Sequence, residues 1–211
     1  MQRNCSRYCH RCNKAHKACI CEKITPIGNN IPLLILQHPS EVNQAKGTAR
    51  ILSLSLEHSQ LIVGEEFDQN TEFLDQLDNS DINWHLLYPS DNAKTITSLS
   101  SDQNVHNLGL VLLDGTWKKA FKMYQLSQRL QMLPALVLPD DLTGNYRIRK
   151  TAKTGGLSTV EAGYHALSLL ANDNNHYQPL IDCFDKMVAF HLSQLPPDVY
   201  ERQFGPGKKT Q

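Results

Sequence analysis

The sequence predicts an α/β fold, a mainly parallel sheet with helices on both faces. Three observations carry this expectation. Short unbroken apolar runs, Ile31–Leu36 and Leu108–Leu113 foremost, read as strands buried on both sides. Segments with apolar residues at helical spacing lie between such runs. Strands and helices alternate along the chain, as parallel pairing requires, because each crossover needs a connecting segment.

The elements follow in order. After a Cys-rich start, Pro26, Gly28 and Asn29-Asn30 mark a break, and Ile31–Leu36 reads as the first strand. Ala45, Ala49, Leu52 and Leu56 recur at helical spacing, so a helix follows. Leu61–Val63 is a short strand, Phe73, Leu74 and Leu77 fit a short helix, and Trp84–Tyr88 is a strand ended by Pro89. Leu108–Leu113 is the clearest buried strand. Residues 116–132 then read as one helix, with Met123, Leu126, Leu130 and Leu133 on a stripe. Ala135–Leu138 is a strand closed by Pro139. Helices are expected from Thr159 to Ala171 and from Ile181 to Leu195. Residues 1–25 form a Cys-rich head, 26–200 the α/β domain, and 201–211 a Gly- and Lys-containing tail expected to be disordered.

Composition narrows the class. The 211 residues suffice for one domain with a small appendage. No apolar run approaches the roughly 18 residues of a membrane span. Met1–Cys5 leads into Cys and Arg rather than an apolar segment, so no secretory signal is read and a cytoplasmic location is expected. Net charge is zero, but it is unevenly spread. Ile51–Ala93 holds no Lys or Arg, while Lys and Arg gather in the head, after residue 117 and around residue 150. Such a layout fits a basic face for a polyanion, and equally a chance segregation of solvated charge.

Cys9-x2-Cys12-x6-Cys19-x-Cys21 places four thiols within thirteen residues. Four thiolates this close can surround one tetrahedral zinc ion with no open position, which is a structural site. Reduced or redox-active thiols are the other reading, and Cys5 is a substitute ligand. Lone Cys183, on an apolar helix, reads as core.

In sheets of this kind ligands bind beyond the carboxyl ends of strands. Gln37-His38-Pro39, Tyr88-Pro89 and Asp114-Gly115-Thr116-Trp117 occupy such ends. Asp114 is a base or hydrogen-bond acceptor delivered by a buried strand, or only the start of a helix cap. Trp117 shares a stripe with Ala120, Phe121 and Tyr124 and reads largely as packing. Lys118, Lys122, Gln125 and Arg129 form a second, basic face. Ser158 with Glu161 is a capping box, yet the same helix start, preceded by Gly155-Gly156, attracts carboxylates. Arg147, Arg149 and Lys150 lie just upstream as partners for phosphate or carboxylate.

Taken together these pieces resemble the DTW family. The resemblance rests on the four cysteines, Leu36–Glu41, Leu86–Pro89, Leu112–Trp117, Arg147-Ile148-Arg149 and Leu157–Ala162, in that order over residues 9 to 170. One departure is Ala45–Arg50, where the family pattern has Asn before Thr. The resemblance implies a SPOUT-like, knotted fold binding S-adenosylmethionine, and transfer of its 3-amino-3-carboxypropyl group to N3 of a tRNA uridine, releasing 5′-methylthioadenosine. It implies that Leu36, Gln37, Leu86, Tyr88, Pro89 and Leu113 lie against the adenosine, with Gly115, Thr116 and Trp117 beside them. It places the amino-carboxylate end at Leu157, Ser158 and Thr159. Asp114 would take the N3 proton or orient the uracil, and Lys118, Lys122, Arg129, Arg147, Arg149 and Lys150 would meet tRNA. The compact length resembles the bacterial variable-loop enzymes, which modify uridine 47. Two rivals share parts of this pattern, a SPOUT-like RNA methyltransferase and a non-catalytic zinc-containing RNA-binding module. A Cys-based redox protein is a third.

Overall fold

The computed structural model describes residues 6–78, 81–99, 107–142 and 156–204. Six strands form one sheet: β1 (Leu33–Gln37), β2 (Ser59–Val63), β3 (Asn83–Leu87), β4 (Lys94–Thr95), β5 (Leu108–Asp114) and β6 (Ala135–Val137). Their spatial order is β2-β1-β5-β3-β6-β4, and every pairing is parallel. The helices are α1 (Ala49–Ser55), α2 (Thr71–Leu77), α3 (Trp117–Leu126), α4 (Gln128–Gln131), α5 (Thr159–Ala171), α6 (Asn174–Ser193) and α7 (Pro197–Phe204).

Side chains alternate across the central strands, so each strand feeds two cores. Leu33 and Ile35 of β1 and Leu110 and Leu112 of β5 pack with α1, α5 and α6 on one face. Leu34, Leu36 and Val111 pack with Phe73 of α2, Ala120 and Met123 of α3 and Leu130 of α4 on the other. Both faces being covered explains the continuous apolar runs, which a one-sided sheet would not show. Gly109, the second residue of β5, is a requirement of this packing. A Cβ there would sit 2.5 Å from the Trp84 ring and 2.6 Å from Ile82. Gly109→Ala is expected to cost about 1–3 kcal/mol, read as a lower urea midpoint with unchanged slope.

Several elements depart from the sequence expectation. The helix expected over 116–132 breaks at Ser127, which adopts an extended conformation (φ −120°, ψ 95°). The buried Ser127 hydroxyl accepts from the Phe67 N–H, and the Asp68 carboxylate accepts from the N–H groups of Gln128 and Arg129, starting α4 afresh. The last long helix begins at Asn174 rather than Ile181, because Asp173 caps it by accepting from His176 N, with Pro179 carried inside. Residues 201–204, assigned to the tail, belong to α7, whose Arg202 pairs with Asp198 one turn earlier at 2.8 Å. Residues 205–211 lie outside the described residues. The first crossover helix starts at Ala49, not Ala45, since the backbone at 45–47 is held otherwise, as described below. The two-residue β4 was not anticipated at all.

The Cys-rich head is fastened to the α/β body. Cys9, Cys12 and Ile20 belong to the same core as β1 and α5. Asn13, at φ 57°, donates from Nδ2 to Val42 O and Asn43 Oδ1, both at 3.0 Å. Lys23 lies 6.0 Å from the centre of the Phe190 ring on α6.

Candidate active-site cleft

The sheet reverses its direction of growth between β1 and β5. The chain leaves β1 through α1 toward β2, on one side, and leaves β5 through α3 and α4 toward β6, on the other. Such a switch point opens a crevice at the carboxyl ends of the two strands. The last paired residues there are Gln37 and Asp114. Gln37 donates from Nε2 to Asp114 Oδ2 at 2.8 Å, and Thr159 at the start of α5 donates from its hydroxyl to Asp114 Oδ1 at 2.5 Å. Asp114 is 5 % exposed and Gln37 2 %, so these bonds form in a largely dry environment. The Gln37 carbonyl oxygen Oε1 is buried with no partner among the described residues. A buried acceptor left unpaired is costly and uncommon, and marks a place where a donor is expected.

The start of α5 is built around the same cluster. Ser158 Oγ accepts from Glu161 N, and the Glu161 carboxylate accepts from both the N–H and the hydroxyl of Ser158, a complete capping box. Thr48 Oγ1, from the Ala45–Arg50 segment, accepts from Val160 N at 3.3 Å. Ala162 N donates to Ser158 O. Among the described residues this leaves one uncommitted donor in the first turn, the Thr159 N–H. The broad expectation that the whole helix start receives an anion thus narrows to one N–H beside Asp114.

A cleft of about 420 Å³ opens next to this cluster, at the carboxyl ends of β3, β5 and β6. Of the residues singled out in the sequence, Tyr88, Pro89, Leu113, Gly115, Trp117, Leu157, Ser158 and Thr159 line it. Leu36, Gln37, Leu86 and Asp114 do not; Leu36 and Leu86 are fully buried in the core against α3, and Gln37 and Asp114 are buried beside the cleft, behind Thr159. Thr116 also stands outside the lining and caps α3 by accepting from Lys119 N. Trp117 departs from its expected packing role, being 60 % exposed at the cleft mouth. The helix docks instead through Ala120, Met123 and Tyr124, whose ring stacks on Tyr88 at 4.6 Å. One wall was missed by the sequence reading. Leu136, Val137, Leu138, Pro139, Asp140 and Leu142, at and after β6, close the cleft. The strand ended by Pro139 was recognised there, but its carboxyl end was not counted among the ligand-binding ends.

The expected basic residues are distributed unevenly. Lys118 is exposed beside the cleft. Lys122 is tied to Glu65 Oε2 at 2.8 Å, and the other Glu65 oxygen is 2.8 Å from His38 Nε2. Hydrogen bonds from Lys122 and His38 hold the Glu65 carboxyl below its ordinary pKa. Lys119, not singled out, pairs with Glu41 at 2.6 Å. Arg129 lies away from the cleft, lining a separate hollow of about 520 Å³ at the amino ends of β3 and β5. Arg147, Arg149 and Lys150 lie outside the described residues.

Cys9, Cys12, Cys19 and Cys21 come together with their sulfur atoms all within 4.8 Å of one another. Cys9–Cys21 and Cys12–Cys19 are each 3.6 Å apart, close to the ~3.8 Å edge of a tetrahedron with zinc–sulfur bonds of ~2.3 Å. Backbone N–H groups of Cys12 and Arg11 lower the pKa of the Cys9 thiol, while burial and the neighbouring sulfurs push the Cys21 thiol up. The donor set and its spacing fit a structural zinc ion. Between two of these residues, the buried Lys14 reaches across to donate to Ala45 O at 2.8 Å and Gly47 O at 2.9 Å. Burial lowers its pKa. Lys14 therefore fixes the segment that presents Thr48 to α5. Lys14→Met removes the ammonium donor from Gly47 O and leaves Ala45 O with the His191 ring at 3.2 Å, and is expected to cost about 1–3 kcal/mol in urea unfolding.

A family model for the DTW domain matches residues 6–192. The chain belongs to the DTW domain family. Among curated proteins it is similar to tRNA-uridine aminocarboxypropyltransferase 2 of Mus musculus, 25 % identical over 188 residues, covering 87 % of this chain and 63 % of that protein. It is also similar to the protein of that name from Drosophila melanogaster, 28 % identical over 203 residues, covering 93 % of this chain and 79 % of that one. The macaque protein of the same name is 24 % identical over 188 residues, with 63 % of its length covered. The DTW chain thus spans under two thirds of the mouse and macaque relatives. No solved structure matches it. None of its described helices is long and apolar enough to cross a membrane.

Proposed function

We propose that this DTW protein transfers the 3-amino-3-carboxypropyl group of S-adenosylmethionine to N3 of a tRNA uridine, uridine 47 of the variable loop. The observation that carries the reading is the pair of uncommitted groups flanking Asp114. The buried Gln37 Oε1 is an acceptor and the Thr159 N–H a donor, complementary to an ammonium and a carboxylate on one carbon. The apolar lining of the neighbouring cleft, Leu87, Leu112, Leu136 and Leu138 among it, suits an adenosine. The names of the three relatives support the reaction class.

Bound S-adenosylmethionine supplies a sulfonium-activated γ-carbon, and 5′-methylthioadenosine is the leaving group. Within this reading Gln37 and Thr159 clamp the amino-carboxylate end, which turns the γ-carbon rather than the methyl toward the acceptor. Leu113, Gly115 and Trp117 border the adenosine, with Tyr88 and Pro89 across the cleft and Leu157 and Ser158 at the α5 end. Asp114 takes the N3 proton as the new N–C bond forms. Residues 1–25 form a zinc-holding head, with Cys9, Cys12, Cys19 and Cys21 as ligands, on a catalytic domain of residues 26–200. Lys118, Lys122, Arg129, Arg147, Arg149 and Lys150 are assigned to tRNA contact, and the fold to the knotted SPOUT type. Cytoplasmic tRNA is the proposed substrate.

The test is the identity of the spent cofactor. Purified protein with tRNA is expected to release 5′-methylthioadenosine. S-adenosylhomocysteine in its place would establish the methyltransferase rival, and no turnover with intact tRNA binding would establish the binding module.

A further inference from the structure

The outward face of α3 carries a pattern that the transfer reaction alone does not use. Ala120, Met123 and Tyr124 point into the core, so the helix presents Trp117, Lys118, Phe121, Lys122 and Gln125 to solvent. Trp117 is 60 % exposed and Phe121 56 % exposed, one turn apart on the same side. Two large aromatics left this open on a helix that had an apolar face to bury them in is unexpected on packing grounds. Lys118 and Lys122 interleave with them. Lys118 makes no ion pair among the described residues. Trp117 belongs at once to this face and to the mouth of the cleft.

We infer that Trp117 and Phe121 form a stacking platform for unpaired nucleotides of the RNA substrate beside the reacting uridine. Aromatic rings spaced along a surface with lysines between them match single-stranded nucleic acid, whose bases offer flat faces and whose backbone offers phosphates. A protein–protein interface fits less well, because lysine is depleted from the cores of such interfaces. The platform accounts for Trp117 standing exposed at the cleft mouth and for Phe121 continuing the aromatic surface outside the cleft. It also explains how a substrate uridine is held unstacked from its own neighbours, since the adjacent bases gain a replacement surface. This inference rests on the proposed RNA substrate and adds the residues that select an unpaired loop over a duplex.

The experiment compares wild-type protein, Phe121→Ala and Phe121→Trp in three measurements: affinity for an unmodified tRNA transcript, affinity for S-adenosylmethionine, and sedimentation. Phe121→Ala is expected to weaken tRNA binding about tenfold, and Phe121→Trp to restore it to within about twofold. Cofactor affinity and sedimentation are expected to be the same in all three. Unchanged tRNA affinity in Phe121→Ala would overturn the platform, as would a wild-type dimer that this substitution dissociates, which would make the face a contact between copies. A wild-type protein that binds no S-adenosylmethionine, yet loses tRNA on Phe121→Ala, would overturn the transfer reading and leave the platform standing.

Discussion

Asp114→Asn is expected to lower transfer by at least about 10²-fold while tRNA binding stays within about twofold of wild type. Asparagine keeps the size of the side chain but removes the negative charge and the capacity to take a proton. It also turns an NH₂ toward one of two donors, Gln37 Nε2 or the Thr159 hydroxyl. Turned toward Gln37 Nε2 the NH₂ loses a buried hydrogen bond, and turned toward the Thr159 hydroxyl it donates to an oxygen that can accept, so a stability decrease of at most about 1–3 kcal/mol accompanies the kinetic effect. The two effects are separable. Thr159→Val removes one of these bonds but leaves the carboxylate in place. If Asp114 served only to hold α5, Thr159→Val would slow transfer as much as Asp114→Asn does. The proposed role as proton acceptor predicts that Thr159→Val raises the Michaelis constant for the cofactor far more than it lowers the turnover rate.

Loss of the metal is expected to have the largest effect on stability. Cys12 is 1 % exposed and shares a core with β1, α1 and α5, so its cluster is not a detachable finger. Lys14, between the ligands, holds residues 45 and 47, and Thr48 caps α5 next to Asp114. Cys12→Ser, or treatment with a strong chelator, is expected to cost about 4 kcal/mol or more, a fall of ~10 °C in melting temperature. The accompanying readout is metal content, near one zinc per chain in the wild type. A chelator that strips zinc with no change in melting temperature would contradict the structural assignment. The same chain of contacts predicts weaker cofactor binding in the stripped protein, since the Thr159 N–H is positioned through Thr48.

The fold was legible because its strongest signals are local. Leu108–Leu113 and Ile31–Leu36 are apolar without interruption, which a sheet covered on both faces demands and other arrangements seldom do. The start of α5 was legible for the same reason: Ser158 and Glu161 carry a capping box within four residues. What escaped is set by distant partners. Ser127 reads as mid-helix until Phe67 and Asp68, some sixty residues earlier, claim its hydroxyl and the next two N–H groups. Trp117 reads as core from its helical stripe, but the stripe that packs is Ala120, Met123 and Tyr124, and which stripe wins depends on where Tyr88 stands. The role of Thr48 was invisible because its partner, Val160, is 112 residues away. Gln37 was singled out as a residue at a strand end. Its bond to Asp114 follows only from the β1–β5 pairing, which skips three strands in sequence. Leu36 and Leu86 fail as lining residues by simple alternation: each points to the face opposite the α5 side.

The central claim is that the transferred group is 3-amino-3-carboxypropyl and the acceptor is uridine N3 in tRNA. Mass spectrometry of nucleosides, and of nuclease fragments from tRNA incubated with the purified protein and S-adenosylmethionine, tests it most directly. The account predicts one new uridine derivative, heavier by a single 3-amino-3-carboxypropyl group, in the fragment spanning the variable loop, and none with Asp114→Asn. A product heavier by one methyl group, or unmodified tRNA from active, zinc-loaded protein that binds it, would contradict the account.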